Sequence, residues 1–258
     1  MREANGYSPL ASQGKVLITG ASAGLGKALA EEFSRRGYEI LAAGRNENAL
    51  GKLTAVSRYL LDLSQPRAGE ELARRVKADG HRVDILVCNA GLGLSGAFGE
   101  QSPEALNALV QVNMAALTAL NRAFLPEMAE RKTGRVLNVA STGAWQPGPY
   151  MAAYYASKAY VLSLTRALRA EYRGTGVTVS ALCPGSIATE FSRRSGRADP
   201  GRAMAPEQVA KIAVDGLLKG KGVITPGLEN KALHAASKAL PASVMARFVE
   251  RYQKGLLN

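Results

Sequence analysis

Residues 16–30 read VLITGASAGLGKALA. A short apolar run ends at Thr19, three glycines follow at positions 20, 24 and 26, and apolar residues then resume. A run of this length, bounded by turn residues, fits a strand buried on both faces. Glycines at its exit permit a tight turn and close backbone approach by a ligand, and the helix that follows offers free N–H groups to a pyrophosphate. The stretch therefore predicts the first βα unit of an α/β sheet and, at its mouth, a dinucleotide site.

The remaining strands are where such a fold needs them. YEILAAG (38–44), VSRYLLDL (56–63), VDILVCN (83–89), RVLNVAS (135–141), VTVSALC (177–183) and a short VITPG (223–227) are separated by helical segments. An amphipathic helix is expected between the second and third strands. Ser102 is a natural N-cap with Pro103 at the first helical position. Residues 154–173 form a further helix, and Pro206 opens another with Val209, Ile212, Ala213 and Leu217 on one face. The alternation predicts a Rossmann-type doubly wound α/β fold. It has a parallel sheet of about seven strands, helices on both faces, and ligands beyond the carboxyl ends of the strands. No internal repeat breaks the pattern, so one domain over 1–258 is expected, with its core at about 14–226. The polar stretch 190–205 reads as a loop or lid, and its arginines could accept an acidic substituent of a substrate or face solvent. Residues 228–258 read as helical, with Leu233, Leu240, Val244, Phe248 and Tyr252 as apolar points. That segment is expected to cover the pocket or make a subunit contact, ahead of lying on a membrane surface.

Composition narrows the function classes. The 258 residues carry 33 Lys+Arg against 21 Asp+Glu, a net charge of +12. The basic segments show no zinc-finger, RNA-recognition or basic-zipper pattern, so nucleic acid is not an expected partner. MREANGYSPLASQGK lacks the apolar core of a secretory signal, and no run approaches the roughly 18 consecutive apolar residues of a membrane span. A cytoplasmic location is expected. Cys88 and Cys183 read as buried structural thiols. His81 and His234 stand isolated without ligand spacing, so no metal is expected.

Two features point to chemistry. At the end of the second strand, where a carboxylate would bind a ribose 2′-hydroxyl, the chain has Gly44-Arg45. A guanidinium there suits a 2′-phosphate, which favours NADP(H) over NAD(H). In AAYYASKAY (152–160), Tyr154 and Lys158 are four apart on one helical face, whereas Tyr155 points about 100° away and reads as packing. An ammonium about 4 Å from the phenol, at an effective dielectric of ~20, would favour the phenolate by roughly 4 kcal/mol. That would bring a group that ordinarily titrates near 10 down to about 7.

With these residues the chain resembles the short-chain dehydrogenase/reductase family, in its single-domain branch, from about residue 14 to 226. Thr19-Gly20-x-x-x-Gly24-x-Gly26 is similar to the family's cofactor turn, and Asp62 to the aspartate near the adenine ring. Asn89-Ala90-Gly91 matches the end of its Asn-Asn-Ala-Gly motif, with Cys88 in place of the first asparagine. Asn113, Ser141, Tyr154 and Lys158 match the four catalytic positions. Pro184-Gly185 and Thr189 match the segment that holds the nicotinamide carboxamide. The resemblance implies further cofactor contacts from Ser22, Ala23, Leu25, Leu63 and Ile187. It implies that Lys158 binds the nicotinamide ribose and that Asn113 holds a water linking Lys158 to solvent. It implies a carbonyl–alcohol oxidoreductase using NADP(H), favouring reduction, with Tyr154 as proton donor and acceptor. The partners expected are a small-molecule carbonyl or alcohol and further copies of the chain, in a homodimer or homotetramer. Trp145, Tyr150, Met151 and Phe191 would edge an apolar pocket. Two other readings use the same residues: a nucleotide-sensing module without turnover, and epimerase-type chemistry on the Tyr/Lys pair.

Overall fold

The structure, a computed structural model, describes residues 13–198, 201 and 203–257. Seven strands form one sheet: β1 (Lys15–Thr19), β2 (Glu39–Gly44), β3 (Ser57–Leu60), β4 (Ile85–Cys88), β5 (Gly134–Val139), β6 (Val177–Leu182) and β7 (Val223–Ile224). Every pairing is parallel, in the order β3-β2-β1-β4-β5-β6-β7. The helices are α1 (Gly24–Arg35), α2 (Glu47–Gly51), α3 (Ala68–Ala78), α4 (Pro103–Val110), α5 (Leu117–Glu130), α6 (Ala152–Glu171), α7 (Phe191–Arg194), α8 (Pro206–Leu218), α9 (Leu228–Ala239) and α10 (Ala242–Lys254).

The central strands β1, β2 and β4 are almost continuously apolar because both faces are covered, and their side chains alternate between two cores. Val16, Ile18, Ile40, Ala42, Ile85 and Val87 point to the face of α1 and α8, where they meet Leu29, Phe33, Ala213 and Leu217. Leu17, Leu41, Ala43, Leu86 and Val136 point to the other face, against Leu72, Val76, Phe124, Met128 and Val161 of α3, α5 and α6. This period of two, with helices on each side, is the physical content of the doubly wound fold. After β3 the chain crosses to the far side of β1 and continues with β4, so the order reverses between β1 and β4. A crevice at the carboxyl ends of those strands follows from that reversal.

Several expected boundaries shift, and the shifts shape the site. The third strand stops at Leu60, so Asp62 and Leu63 leave the sheet. The helix after β2 is a five-residue turn, capped by Asn46, whose Oδ1 accepts from the Ala49 amide. The expected loop at 190–205 opens with α7, and Met204 bridges Ile187; residues 199, 200 and 202 of that stretch, like the N-terminal residues 1–12, lie outside the described residues. The Ser102 cap forms as expected, accepting from the Ala105 amide at 3.1 Å. The helix it starts is not uniform, however: Gln111–Ala116 winds as a π-helical turn between α4 and α5. The whole run Pro103–Glu130 has the length and mean hydropathy of a membrane span, 1.2, yet half of its most apolar window is buried, as for a core helix.

Candidate active site

The glycine turn behaves as its spacing requires. Gly20 and Gly24 adopt positive φ, +67° and +50°. A Cβ on Gly26 would stand 2.1 Å from the Gly20 carbonyl oxygen, so α1 can begin this close to β1 only without a side chain there. Asn89, at the end of β4, fastens the turn: its Nδ2 donates to the Thr19 and Gly20 carbonyls at 2.9 and 3.3 Å, and its amide donates to Thr19 Oγ1. Cys88 stands where the family motif has a first asparagine, and receives only a long contact, 3.7 Å, from Asn121 Nδ2. Asn121 is otherwise satisfied by Asn138 and the Leu117 carbonyl, so the departure leaves no orphaned polar group on that side chain.

A cavity of about 320 Å³ opens over this turn and includes Gly20, Ser22, Ala23, Gly24, Leu25, Gly26, Arg45, Asp62, Leu63, Asn89, Ala90, Gly91 and Thr189. Twelve of the cofactor positions expected from sequence besides Thr189 thus meet in one hollow. Arg45 is 59% exposed at its edge, and Nη1 lies 3.6 Å from Asp62 Oδ2. Burial works against the Asp62 carboxylate, but the Ser64 amide and hydroxyl, with Arg45, hold it below its ordinary range. An exposed pair of this kind is worth about 0–1 kcal/mol, so a phosphate can take Arg45 at little cost. Arg194, from the basic lid stretch, also lines this hollow; it comes from α7, distant in sequence from the glycine turn.

A second cavity, about 160 Å³, adjoins the first and shares Leu25, Asn89, Gly91, Thr189 and Phe191 with it. Ser141, Tyr154, Lys158, Pro184, Gly185 and Ile187 line it. Ser141 follows β5 and its Oγ accepts from the Gly143 amide at 3.1 Å. It lines the cavity beside the Tyr154 phenol and pulls that phenol's proton affinity down. Met151 and Phe191 form apolar wall, as expected. Trp145 and Tyr150 do not: Trp145 stacks at 4.1 Å on His234 of α9, and Lys254 of α10 sits 5.4 Å over the Tyr150 ring. Both aromatics seat the C-terminal helices instead. Tyr155 both packs and walls this cavity: Cβ atoms on Gly143 and Gly148 would meet its ring, and its hydroxyl accepts from Gln253 Nε2 of α10 at 2.9 Å. The C-terminal helices therefore pack against residues that flank or wall the pocket.

One expectation needs correction. Lys158 does not bring Tyr154 toward 7 here. Its Nζ lies 5.7 Å from the Tyr154 ring centroid and donates to the Val139 carbonyl at 2.8 Å. Burial pushes the phenol up to about 12, against which Ser141 pulls down. Burial also brings Lys158 down to about 8. Desolvation at this depth outweighs a cation at that distance. The Asn113 side chain is committed to protein: Oδ1 accepts from the Leu92 amide at 2.8 Å, and Nδ2 donates to the Leu92 carbonyl and to Ser157 Oγ, each at 2.9 Å. The π turn aims this side chain so that it ties the segment after β4 to α6, one residue before Lys158. Asn113 thus positions the segment after β4 against the helix that carries Lys158.

The depressed Lys158 has a measurable consequence. Between about 8 and its ordinary 10.5 the unfolded chain binds more protons than the folded one, so stability of the free protein rises with pH there. Burial holds the Cys88 and Cys183 thiols above their ordinary 9, which opposes the rise from about there, and the raised Tyr154 opposes it above about 10. Denaturant unfolding between about pH 7 and 8.5 is expected to show the rise, and Lys158→Met to remove most of it. Equal pH slopes in both proteins would refute the assignment.

Comparison with known proteins agrees with this arrangement. Residues 14–200 match the family described as short chain dehydrogenase. The chain belongs to the short-chain dehydrogenase family. It is 32% identical over 258 residues to the probable oxidoreductase EphD of Mycobacterium tuberculosis, covering 89% of this chain but 43% of that protein. The chain thus spans less than half the length of that relative. It is 36% identical to the NADP-dependent 3-hydroxy acid dehydrogenase YdfG of Shigella flexneri, over 73% of this chain and 79% of the relative. Among solved structures, a short-chain dehydrogenase from Sphingobium yanoikuyae in complex with NADPH superposes with a TM-score of 0.79 at 32% identity, covering 88% of this chain and 94% of the other. In this short-chain dehydrogenase the glycine turn, the Asn89–Gly91 clasp and the Ser141/Tyr154/Lys158 group all lie at the carboxyl edge of one sheet. His81 and His234 lie apart from them. His81 contacts Lys15 and Ser57, and no metal-holding cluster occurs among the described residues.

Proposed function

We propose that this short-chain dehydrogenase is an NADP(H)-dependent oxidoreductase that interconverts a carbonyl and an alcohol on a small to medium substrate with an apolar body. The observation that carries the reading is the junction of the two cavities. A hollow with glycine floor and a guanidinium at its rim opens directly onto a cavity that brings a buried phenol and a serine hydroxyl together. The NADPH-bound neighbour and the relative named for NADP support the same nucleotide.

The residues fit that cofactor. The glycine turn and the start of α1 would receive the pyrophosphate, Arg45 the 2′-phosphate, and Pro184, Gly185, Ile187 and Thr189 the nicotinamide end. When bound, NADPH supplies a hydride. Tyr154 Oη gives its proton to the substrate oxygen, and the Ser141 hydroxyl donates to the same oxygen as negative charge develops there. Lys158 stands on the nucleotide side of the phenol, beside Gly91, where its ammonium steadies the phenolate left behind. A phenol titrating at about 12 keeps its proton throughout the neutral range, which is the state a reductase needs at the start of the reaction. Residues 14–226 carry this chemistry and the helices 228–258 roof it, acting together as one domain.

Following NADPH absorbance with a panel of aldehydes and ketones tests the reading. Turnover with NADPH on at least one apolar carbonyl is expected. A protein that binds NADPH tightly but oxidises it with none of them would be a nucleotide-binding module, and the proposal would be wrong.

A further inference from the structure

Arg197 has no part in the chemistry just described, yet it lines the same cavity as Ser141, Tyr154 and Lys158. Its backbone is tied down on several sides. Its amide donates to the Ser192 carbonyl at 3.2 Å, and the next amide, Ala198, donates to the Leu256 carbonyl at 3.0 Å. Ser95 holds the Ser195 carbonyl through both its amide and its hydroxyl. Such anchoring fixes where the guanidinium stands.

The guanidinium itself is under-used. Nη1 donates to Gln253 Oε1 at 3.3 Å, and Nε is buried without any partner. No carboxylate forms an ion pair with it among the described residues, although many other arginines of this chain have one. Gln253, 1% exposed, is held in turn by Tyr155. Its neutral amide leaves the charge uncompensated. The charge is felt inside the cavity, where it contributes to lowering both the Tyr154 and Tyr155 phenols against the stronger effect of burial. Leaving a buried donor unmet is costly, and a bare buried donor calls for an explanation. A planar guanidinium is the group best shaped to take a carboxylate through two parallel N–H bonds. The cavity therefore offers a proton donor and hydroxyl for a carbonyl, apolar wall from Met151 and Phe191, and a cation for something negative.

Resting on the oxidoreductase reading above, we propose that Arg197 is an anion-binding specificity residue and that the substrate is an oxo acid, or the matching hydroxy acid. Its carboxylate pairs with Arg197 while its carbonyl faces Tyr154 and Ser141. The test compares an oxo acid with its methyl ester on one carbon skeleton, with NADPH, in the wild type and in Arg197→Met and Arg197→Lys. The wild type is expected to favour the acid by at least about 10-fold in kcat/KM, through a lower KM. In Arg197→Met the acid-to-ester ratio should fall to near one, with the loss in KM for the acid and not in kcat; Arg197→Lys should recover part of it. Ester turnover reports that the variants are folded. A wild type that prefers the ester, or an Arg197→Met that lowers acid and ester alike, would overturn the anion site while leaving the reductase intact. If wild type binds NADPH and reduces neither compound nor any carbonyl of the wider panel, the oxidoreductase reading fails and takes this one with it.

Discussion

Tyr154→Phe is expected to lower kcat/KM for carbonyl reduction by about 10³-fold, within the 10²–10⁴ range of general acid catalysis, while NADPH affinity changes by no more than about twofold. The change removes one hydroxyl from a cavity wall and leaves the ring, which lies 5.6 Å from Phe191 and 6.0 Å from Tyr155. Tyr155→Phe is the matched comparison. Its hydroxyl meets Gln253, so its loss weakens the seat of α10 and should lower turnover by no more than about threefold, less than 1 kcal/mol of barrier. Stopped-flow or steady-state rates with a single ketone decide between them. If the two substitutions exchange effects, or if Tyr154→Phe keeps more than a tenth of the activity, Tyr154 is not the proton donor.

Arg45→Asp is the second large effect. A charge-assisted hydrogen bond is worth about 1.5–3 kcal/mol, and the aspartate replaces that attraction with repulsion of a 2′-phosphate while offering an acceptor to a 2′-hydroxyl. NADPH should bind about 10²- to 10³-fold more weakly, and the preference between the two nicotinamides should move toward NADH. Asp62 then faces a second carboxylate in place of its guanidinium partner, so the loss should be milder at high salt, where such repulsion is screened. Calorimetric titration with both nucleotides measures this. Unchanged NADPH affinity would remove Arg45 from the site.

Much of this arrangement is legible before any coordinates, because it depends on local patterns. The VLIT run, the glycine spacing and the recurring apolar strands are short-range signals, and burial on both faces of a parallel sheet leaves them unmistakable. The i, i+4 relation of Tyr154 and Lys158 is likewise local, and it separates Tyr154 from Tyr155 on geometry alone. What the sequence does not carry is depth. The estimate for Tyr154 treated two charges near a surface, whereas the helix carrying them is pressed onto β5, with Lys158 only 4% exposed. Desolvation therefore sets the direction of both shifts.

The π turn at Gln111–Ala116 is hidden for a related reason. QVNMAA has no Pro or Gly to mark an irregularity; the turn is coupled to tertiary bonds from Asn113 to Leu92 and Ser157. Trp145 and Tyr150 were placed at the pocket edge by nearness in sequence, but the helices α9 and α10 return across the sheet and claim both rings. The stretch EFSRRSGR shows only that arginines stand beside the pocket, able to take an acidic substituent or to face solvent; which of them reaches the cleft, and that Gln253 joins them, depends on contacts far along the chain, such as the Arg197–Gln253 bond spanning 56 residues. A glutamine in an amphipathic tail gives no local sign that it is buried.

The central claim is that one continuous cleft holds the nucleotide at the glycine turn and delivers its reactive end to Tyr154. A crystal structure of the protein with NADP⁺ tests it most directly. The account predicts the 2′-phosphate beside Arg45, the pyrophosphate on the turn between Gly20 and Gly26, and the nicotinamide ring in the cavity between Thr189 and the Ser141–Tyr154 pair. A nucleotide bound elsewhere, or one whose nicotinamide turns out of that cavity and leaves Tyr154 uncontacted, would contradict it.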